Sequence, residues 1–394
     1  MTYPAPFTRR PRPRRGRPAW AGLLGIVMCV GAAAAPYVPA RDDEVLASLP
    51  PGARHTSAVV REQAGARLDV ALPLAQFYIT QARATGDLRF LGYADAVLAR
   101  WRAQEPVLPA VRVLNATVLQ SRHAFDAALL ELDAALKTSP DDAQAWLTRA
   151  TVLRVLGRYA EGAAACRRLE GAAGDPVIED LCVESLRALS GNLRSAYESV
   201  RALPQESLSN SARAWRYSEL GEMAVSLGDR AAAAHWFLEG LQVAPDDVYT
   251  RAAYADLLLS EARAADTLTL LRGYESMEPL LLRIAIAQQQ LRDPHLAESA
   301  AQLSSAFALE EQRGDAVHRR EQARFLLDVT HEPAAALRAA EENWRVQREP
   351  ADLLILLRAA RAAGRPAAAA PAIEFLHQHG TEDVRFDSYA EGAP

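Results

Sequence analysis

The chain has 394 residues, half of them hydrophobic, 24% charged and only 7% aromatic. Such an apolar share suits a large packed core and excludes disorder along the whole chain. The formal net charge is -5 and Lys137 is the only lysine, so no basic stripe awaits a phosphate backbone and nucleic acid is not an expected partner.

Residues 1–35 stand apart. "TRRPRPRRGRP" holds six arginines and no acid, and "AWAGLLGIVMCVGAAAA" follows as an uncharged apolar stretch ending in small residues. This is the layout of a secretory signal, with cleavage near Ala34 or Ala35. Removing it would take the net charge to about -11. Two alternatives share the segment: an uncleaved anchor, with membrane contact only through residues 18–36, and a lipid-modified Cys29. In each version the arginines stay inside and later residues face outward. The expected location is therefore the periplasm, with anchoring in the inner membrane as the alternative. Residues 36–66 mix Pro, Gly and charge around one short apolar patch, and read as a linker with a capping helix.

From residue 67 to about 380 the apolar share is dominated by Ala and Leu, strong helix formers, with no alternating strand-like runs. Gly, Pro and Asp-Asp punctuate this region at intervals near 34 residues. A fixed period of that length is a repeat signature. A frame from Pro109 puts Ala116 eighth, Ala128 twentieth and Pro140 thirty-second; the next, from Ala143, puts Ala150 eighth and Gly157 fifteenth. Gly191 and Ala196 follow in a third frame. Three extra residues before Ala214 reset the phase, after which Gly221, Gly228, Ala233, Phe237 and Pro245 fall in the same places. "PDD" at 140–142 thus returns at 245–247. Small residues let two helices approach, Gly permits a left-handed turn, and Pro-Asp-Asp stops one helix and caps the next. Residues 381–394 read as a C-terminal tail.

These places resemble the tetratricopeptide repeat (TPR) family, best in "YSELGEMAVSLGDRAAAAHWFLEGLQVAPDD", residues 217–247. "TGDLRFLGYADAVLARW" resembles a variant in exported bacterial members. The resemblance implies an all-α right-handed superhelix (α-solenoid) of about nine helix-turn-helix repeats, with first helices lining a concave groove that suits a protein or peptide partner. The family's groove places give Gln120, Gln144, Thr151, Arg154, Trp215, Glu222 and Tyr249, together with Val113, Thr117, Leu147, Ser185, Ser218 and Asp256. The Lys and Asn residues of the family's carboxylate clamp are missing. Trp215 and Tyr249 read as aromatic anchors, or equally as packing residues.

Other features come from spacing alone. Arg320 and Arg324 lie one turn apart, as do Trp344 and Arg348, so each pair shares a helix face where an acidic partner segment or Glu341 and Glu342 can meet it. Arg149 and Glu184, at small or apolar places of adjacent frames, read as a buried pair; alternatively Arg149 snorkels to the surface or pairs with Asp126 or Asp133. Cys166 and Cys182 lie eight residues either side of Gly174 and read either as a disulfide in an oxidising compartment or as packing thiols. No phosphate loop, nucleophile elbow or Cys-x-x-Cys occurs. "HQH" at 377–379 splits its rings between helix faces, and "HEPAA" from His331 lacks a second His. No catalytic, cofactor or metal residues are assigned. The expected function is a non-catalytic binding scaffold outside the cytoplasm; the alternative is a membrane-tethered assembly factor of the cell envelope, and an enzyme is third.

Overall fold

Aspartate ends where the sequence repeats "PDD": the second Asp of each motif caps the helix that follows. Asp142 accepts from the Ala145 amide and Asp247 from the Thr250 amide, satisfying donors that have no partner inside the helix. Ser209 and Asp229 cap two further helices in the same way. The computed structural model describes residues 58–170, 172, 176–205, 208–313 and 318–390, all within the unit 49–394. The signal segment, Cys29, the linker up to residue 57, Gly174 and residues 391–394 lie outside them.

Among the described residues every regular element is helical. α1 (Ala58–Ala66) packs on the first of nine hairpins. The first three hairpins are α2 (Leu68–Thr85) with α3 (Arg89–Arg102), α4 (Pro109–Ser121) with α5 (Phe125–Thr138), and α6 (Ala143–Val155) with α7 (Tyr159–Cys166). Then come α8 (Pro176–Ala188) with α9 (Leu193–Ala202), α10 (Asn210–Ser226) with α11 (Arg230–Val243), and α12 (Val248–Ser260) with α13 (Ala264–Leu270). The last three are α14 (Glu278–Leu291) with α15 (Leu296–Arg313), α16 (Arg319–Asp328) with α17 (Pro333–Val346), and α18 (Pro350–Ala362) with α19 (Ala370–His379). A short helix, α20 (Asp387–Ala390), follows. The fold is an all-α helical-repeat solenoid.

Each of the nine turns carries one residue in the left-handed region. Five are glycines, at 86, 157, 191, 228 and 364; the other four are His123, Ala262, Arg292 and His331, with φ near +57°. Those four bear the steric cost of a Cβ in that conformation. The turn is kept at these four positions even though the glycine that advertises it in the sequence is absent.

The array closes on itself. One apolar cluster contains Leu132 and Leu153 from early hairpins together with Leu353, Phe375 and Phe386 from the end of the chain. The Phe375 ring sits over Gly157, where an added Cβ would overlap it. The Arg348 amide donates to the Val155 carbonyl at 2.8 Å, and Tyr159 donates its hydroxyl to the Arg348 carbonyl at 3.2 Å. Residues 381–386, read as tail, are instead packed: the Thr381 hydroxyl donates to the Leu189 carbonyl and the Val384 amide to the Ser226 carbonyl, both at 3.0 Å. Asp383 and Phe386 are buried.

Three side chains settle alternatives or depart from the sequence reading. Arg149 takes the alternative partner read from the sequence, donating to Asp133 at 3.0 Å rather than to Glu184, because α5 packs directly on α6. Glu184 pairs within its own helix with Arg187, at 2.7 Å. Trp344 is 8% exposed and packs edge-on to Phe375, so the closure turns its face inward. The structure joins Cys166 to Cys182 by a disulfide, with Cα atoms 5.6 Å apart.

Within the fifth hairpin, an added Cβ at Gly221 would overlap the fully buried Phe237 ring. Gly221→Ala is expected to destabilise the protein by about 1–3 kcal/mol. Adding Phe237→Leu should recover part of the loss, and the melting temperatures of the single and double variants check it; an unchanged Gly221→Ala melt contradicts the packing.

Candidate functional site

Closure converts the inner face of the repeats into a cavity of about 590 Å³. Its wall is built from first helices: α6 contributes Arg154, α10 Glu219 and Glu222, α12 Tyr249 and Asp256, α14 Arg283, and α16 Arg320 and Arg324. The end of α2 adds Arg83, the turn after α4 adds His123, and residues 381–385 cover one side.

Most of these charges are paired across hairpins. Asp256 is gripped by two guanidinium groups: Arg283 donates at 3.1 and 2.8 Å, and Arg324 at 2.9 Å. Burial alone would raise the Asp256 carboxyl; Arg283 and Arg324 overcome it and hold the group well below the usual carboxylate range. Arg154 donates to Glu219 at 2.5 Å, and the Trp215 indole donates to the same oxygen at 3.0 Å. Against the opposing effect of burial, Glu219 raises Arg154 above the ordinary guanidinium value. Arg320 reaches Glu349 and Asp352, both at 3.4 Å, and Glu321 at 3.3 Å. Burial pushes Asp352 up to about 6 in spite of Arg320, whereas Glu321, also buried, is pulled down to about 2 by Arg320 and His318.

Among the described residues, four charges that line the cavity have no ion pair: Arg83, Glu222, Asp247, which caps α12, and the exposed Glu382. Arg83 has no hydrogen bond or ion pair among the described residues, and its side chain is exposed to solvent at the cavity's edge. Glu222 accepts only a long hydrogen bond from Tyr249, at 3.4 Å, and burial raises its carboxyl. The charge of Glu222, followed by burial, raises the Tyr249 phenol well above its ordinary value, so the hydroxyl keeps its proton and acts as donor. An unpaired cation, an unpaired acid and a phenol therefore line one pocket, with Arg83 and Tyr249, which is 55% exposed, open to solvent.

Of the residues singled out from the sequence, Arg154, Glu222, Tyr249, Arg320 and Arg324 line this cavity, as do Ser185 and Asp256. Trp215 touches it only through Glu219. Gln120, Gln144 and Thr151 do not line it; Gln144 is bonded to Thr148, and Thr151 to the Leu147 carbonyl. Arg348 stands over the Trp344 and Phe375 rings, about 6 Å from each, outside the cavity. Val113, Thr117 and Ser218 are buried packing residues. Arg320 and Arg324 face inward acids, while Arg319 is the one that meets Glu342, at 3.3 Å. Sequence reasoning missed Arg83, His123, Glu219 and Arg283. Arg283 was signalled by its place as a lone charge inside "LLLRIAIA".

No protein-family model and no curated protein matches the chain. Among solved structures it is similar to the pilF protein of Pseudomonas aeruginosa, at 17% identity and a TM-score of 0.32, over 65% of this chain and 98% of that one. It is also similar to the TPR domain of P58(IPK), at 16% identity and a TM-score of 0.25, over 72% and 96%. The helical-repeat fold is defined by the chain's own nine hairpins.

His123 is the titrating group with the plainest consequence. Burial first, and Arg320 second, push its imidazole down to about 4, and Gln347 lies 3.2 Å from its Nδ1. A folded-state pKa below the unfolded value of 6.5 favours the neutral ring, so its contribution is present above pH 6.5 and is lost as pH falls toward 4. His123→Asn, which cannot take up the proton and tolerates a left-handed turn, should lose less melting temperature than the wild type between pH 7 and pH 4.5. Parallel curves would show that His123 charges freely in the fold.

Proposed function

We propose that the protein is a non-catalytic recognition scaffold acting outside the cytoplasm, and that it takes a short charged peptide segment into the cavity. The carrying observation is the convergence of first-helix side chains from successive hairpins on one pocket, whose solvent-facing wall carries an arginine, Arg83, and an acid, Glu222, that have no ion pair. Pockets of this volume suit a compact ligand with few polar anchors. Six arginines and eight carboxylates line the wall, so the enclosure offers no single-signed field for a polyanion. A peptide end supplies what is lacking: a carboxylate for Arg83, and a donor for Glu222 and the Tyr249 oxygen. Location outside the cytoplasm is supported by the arginine-rich, apolar N-terminal segment and by the Cys166–Cys182 disulfide, which suits an oxidising compartment. Among the described residues no helix is long and apolar enough to cross a membrane.

The binding reading is tested with a panel of short peptides, with free and amidated C-termini, measured by native mass spectrometry. Arg83→Ala and Glu222→Gln should each weaken the retained peptides roughly tenfold, about 1.4 kcal/mol, while the melting curve stays in place. Equal affinity in wild type and both variants, or no peptide retained at all, removes the cavity from the function.

The location is tested separately. A reporter active only outside the cytoplasm, fused after residue 60, should give signal, and intact mass of the exported protein should show loss of about 35 residues. Retained mass favours the tethered assembly factor; a silent reporter with an active cytoplasmic fusion rejects export.

A further inference from the structure

Where α14 begins and α15 ends, a second cluster of ligating side chains stands apart from the peptide anchors. Glu278 opens α14, Glu310 lies in the last turns of α15, and His318 immediately precedes α16. One donor atom from each lies within 4.8 Å of both others. His318 Nδ1 is 2.5 Å from a Glu310 oxygen and 3.2 Å from Glu278 Oε1.

A single proton cannot serve this arrangement. Nδ1 carries one hydrogen, and the nearer Glu310 oxygen takes it. Glu278 Oε1 is left buried with no hydrogen-bond partner. Two carboxylates around one imidazolium also leave a net charge of one minus in a largely buried corner, which is costly to keep. A dication would bind all three donors at once, satisfy the orphaned oxygen, and leave the group neutral with the imidazole unprotonated. One nitrogen and two carboxylate oxygens are a donor set that zinc and manganese accept.

We infer that Glu278, Glu310 and His318 form a site for one divalent transition-metal ion. Three protein ligands leave a coordination position open, and His318 belongs to the cavity wall, so the ion would be reachable by a ligand held there. The inference does not depend on the peptide reading, since the three donors come from contacts that reading does not use.

The test uses the full mature protein, stripped with chelator and titrated with zinc alone by calorimetry, with cobalt as a spectroscopic probe. The expected result is one tight zinc per chain, a rise in melting temperature by mass action, and visible cobalt absorption of low coordination number. Glu278→Gln preserves shape and removes no hydrogen bond of that oxygen, so it should fold normally and weaken zinc at least roughly tenfold; Glu310→Gln should do the same. His377→Ala with His379→Ala, a histidine pair elsewhere on the chain, should leave the tight site intact. The site is rejected if stripped protein takes up no zinc, if Glu278→Gln binds as tightly as wild type, or if the His377 and His379 substitutions abolish the binding.

Discussion

The seat of Phe375 on the turn at Gly157 is the contact on which the site depends. An open repeat array presents its first helices to solvent, and charges there are cheap because water screens them. Once the ninth hairpin rests on the third, with the 381–386 segment laid along the turns of the fourth and fifth, the same helices face an enclosure. Only a glycine at 157 admits the ring so close to the backbone. The burial of His123 against Gln347 of the eighth hairpin follows from that approach, whereas the Arg283–Asp256–Arg324 cluster joins neighbouring hairpins.

Enclosure changes the balance of electrostatics in two ways. Desolvating an ion costs several kcal/mol, about as much as a good pair returns, so the Arg283–Asp256–Arg324 cluster is a poor source of net stability. Its value lies in geometry: a carboxylate held by two forks fixes α12, α14 and α16 relative to one another. The folding free energy comes instead from the apolar clusters behind those helices, where Leu132, Leu153, Leu258 and Leu280 are fully buried. Residues left unpaired within such a frame are then set apart from the pairs by contrast.

How much of this could be read in the sequence varies with distance along the chain. The helices and hairpin turns were legible because they are local: "PDD" caps, Gly157, Gly191 and Gly228 mark turns, and Gly221 answers Phe237 within one repeat. Arg154, Glu222 and Tyr249 were legible through the repeat frame. Arg320 and Arg324 were legible as a shared face, but the partner of Arg324 is Asp256, 68 residues earlier, and no local pattern names it. Trp344 misled for the same reason, since four-residue spacing to Arg348 reads alike whether the face meets solvent or Phe375. Arg83 went unread because the first hairpin keeps few of the pattern's marker residues.

Repeat arrays ordinarily gain stability from neighbour to neighbour, so that a unit can be added or removed at an end with local effect. The bonds that close this one link residues 189, 192 and 224 positions apart. Such a chain cannot zip from one nucleus and rest at an intermediate length, because its last hairpin completes the core of its third. Its folding barrier carries the entropy of a closed loop of nearly two hundred residues, and its hairpins unfold together rather than peeling from the ends.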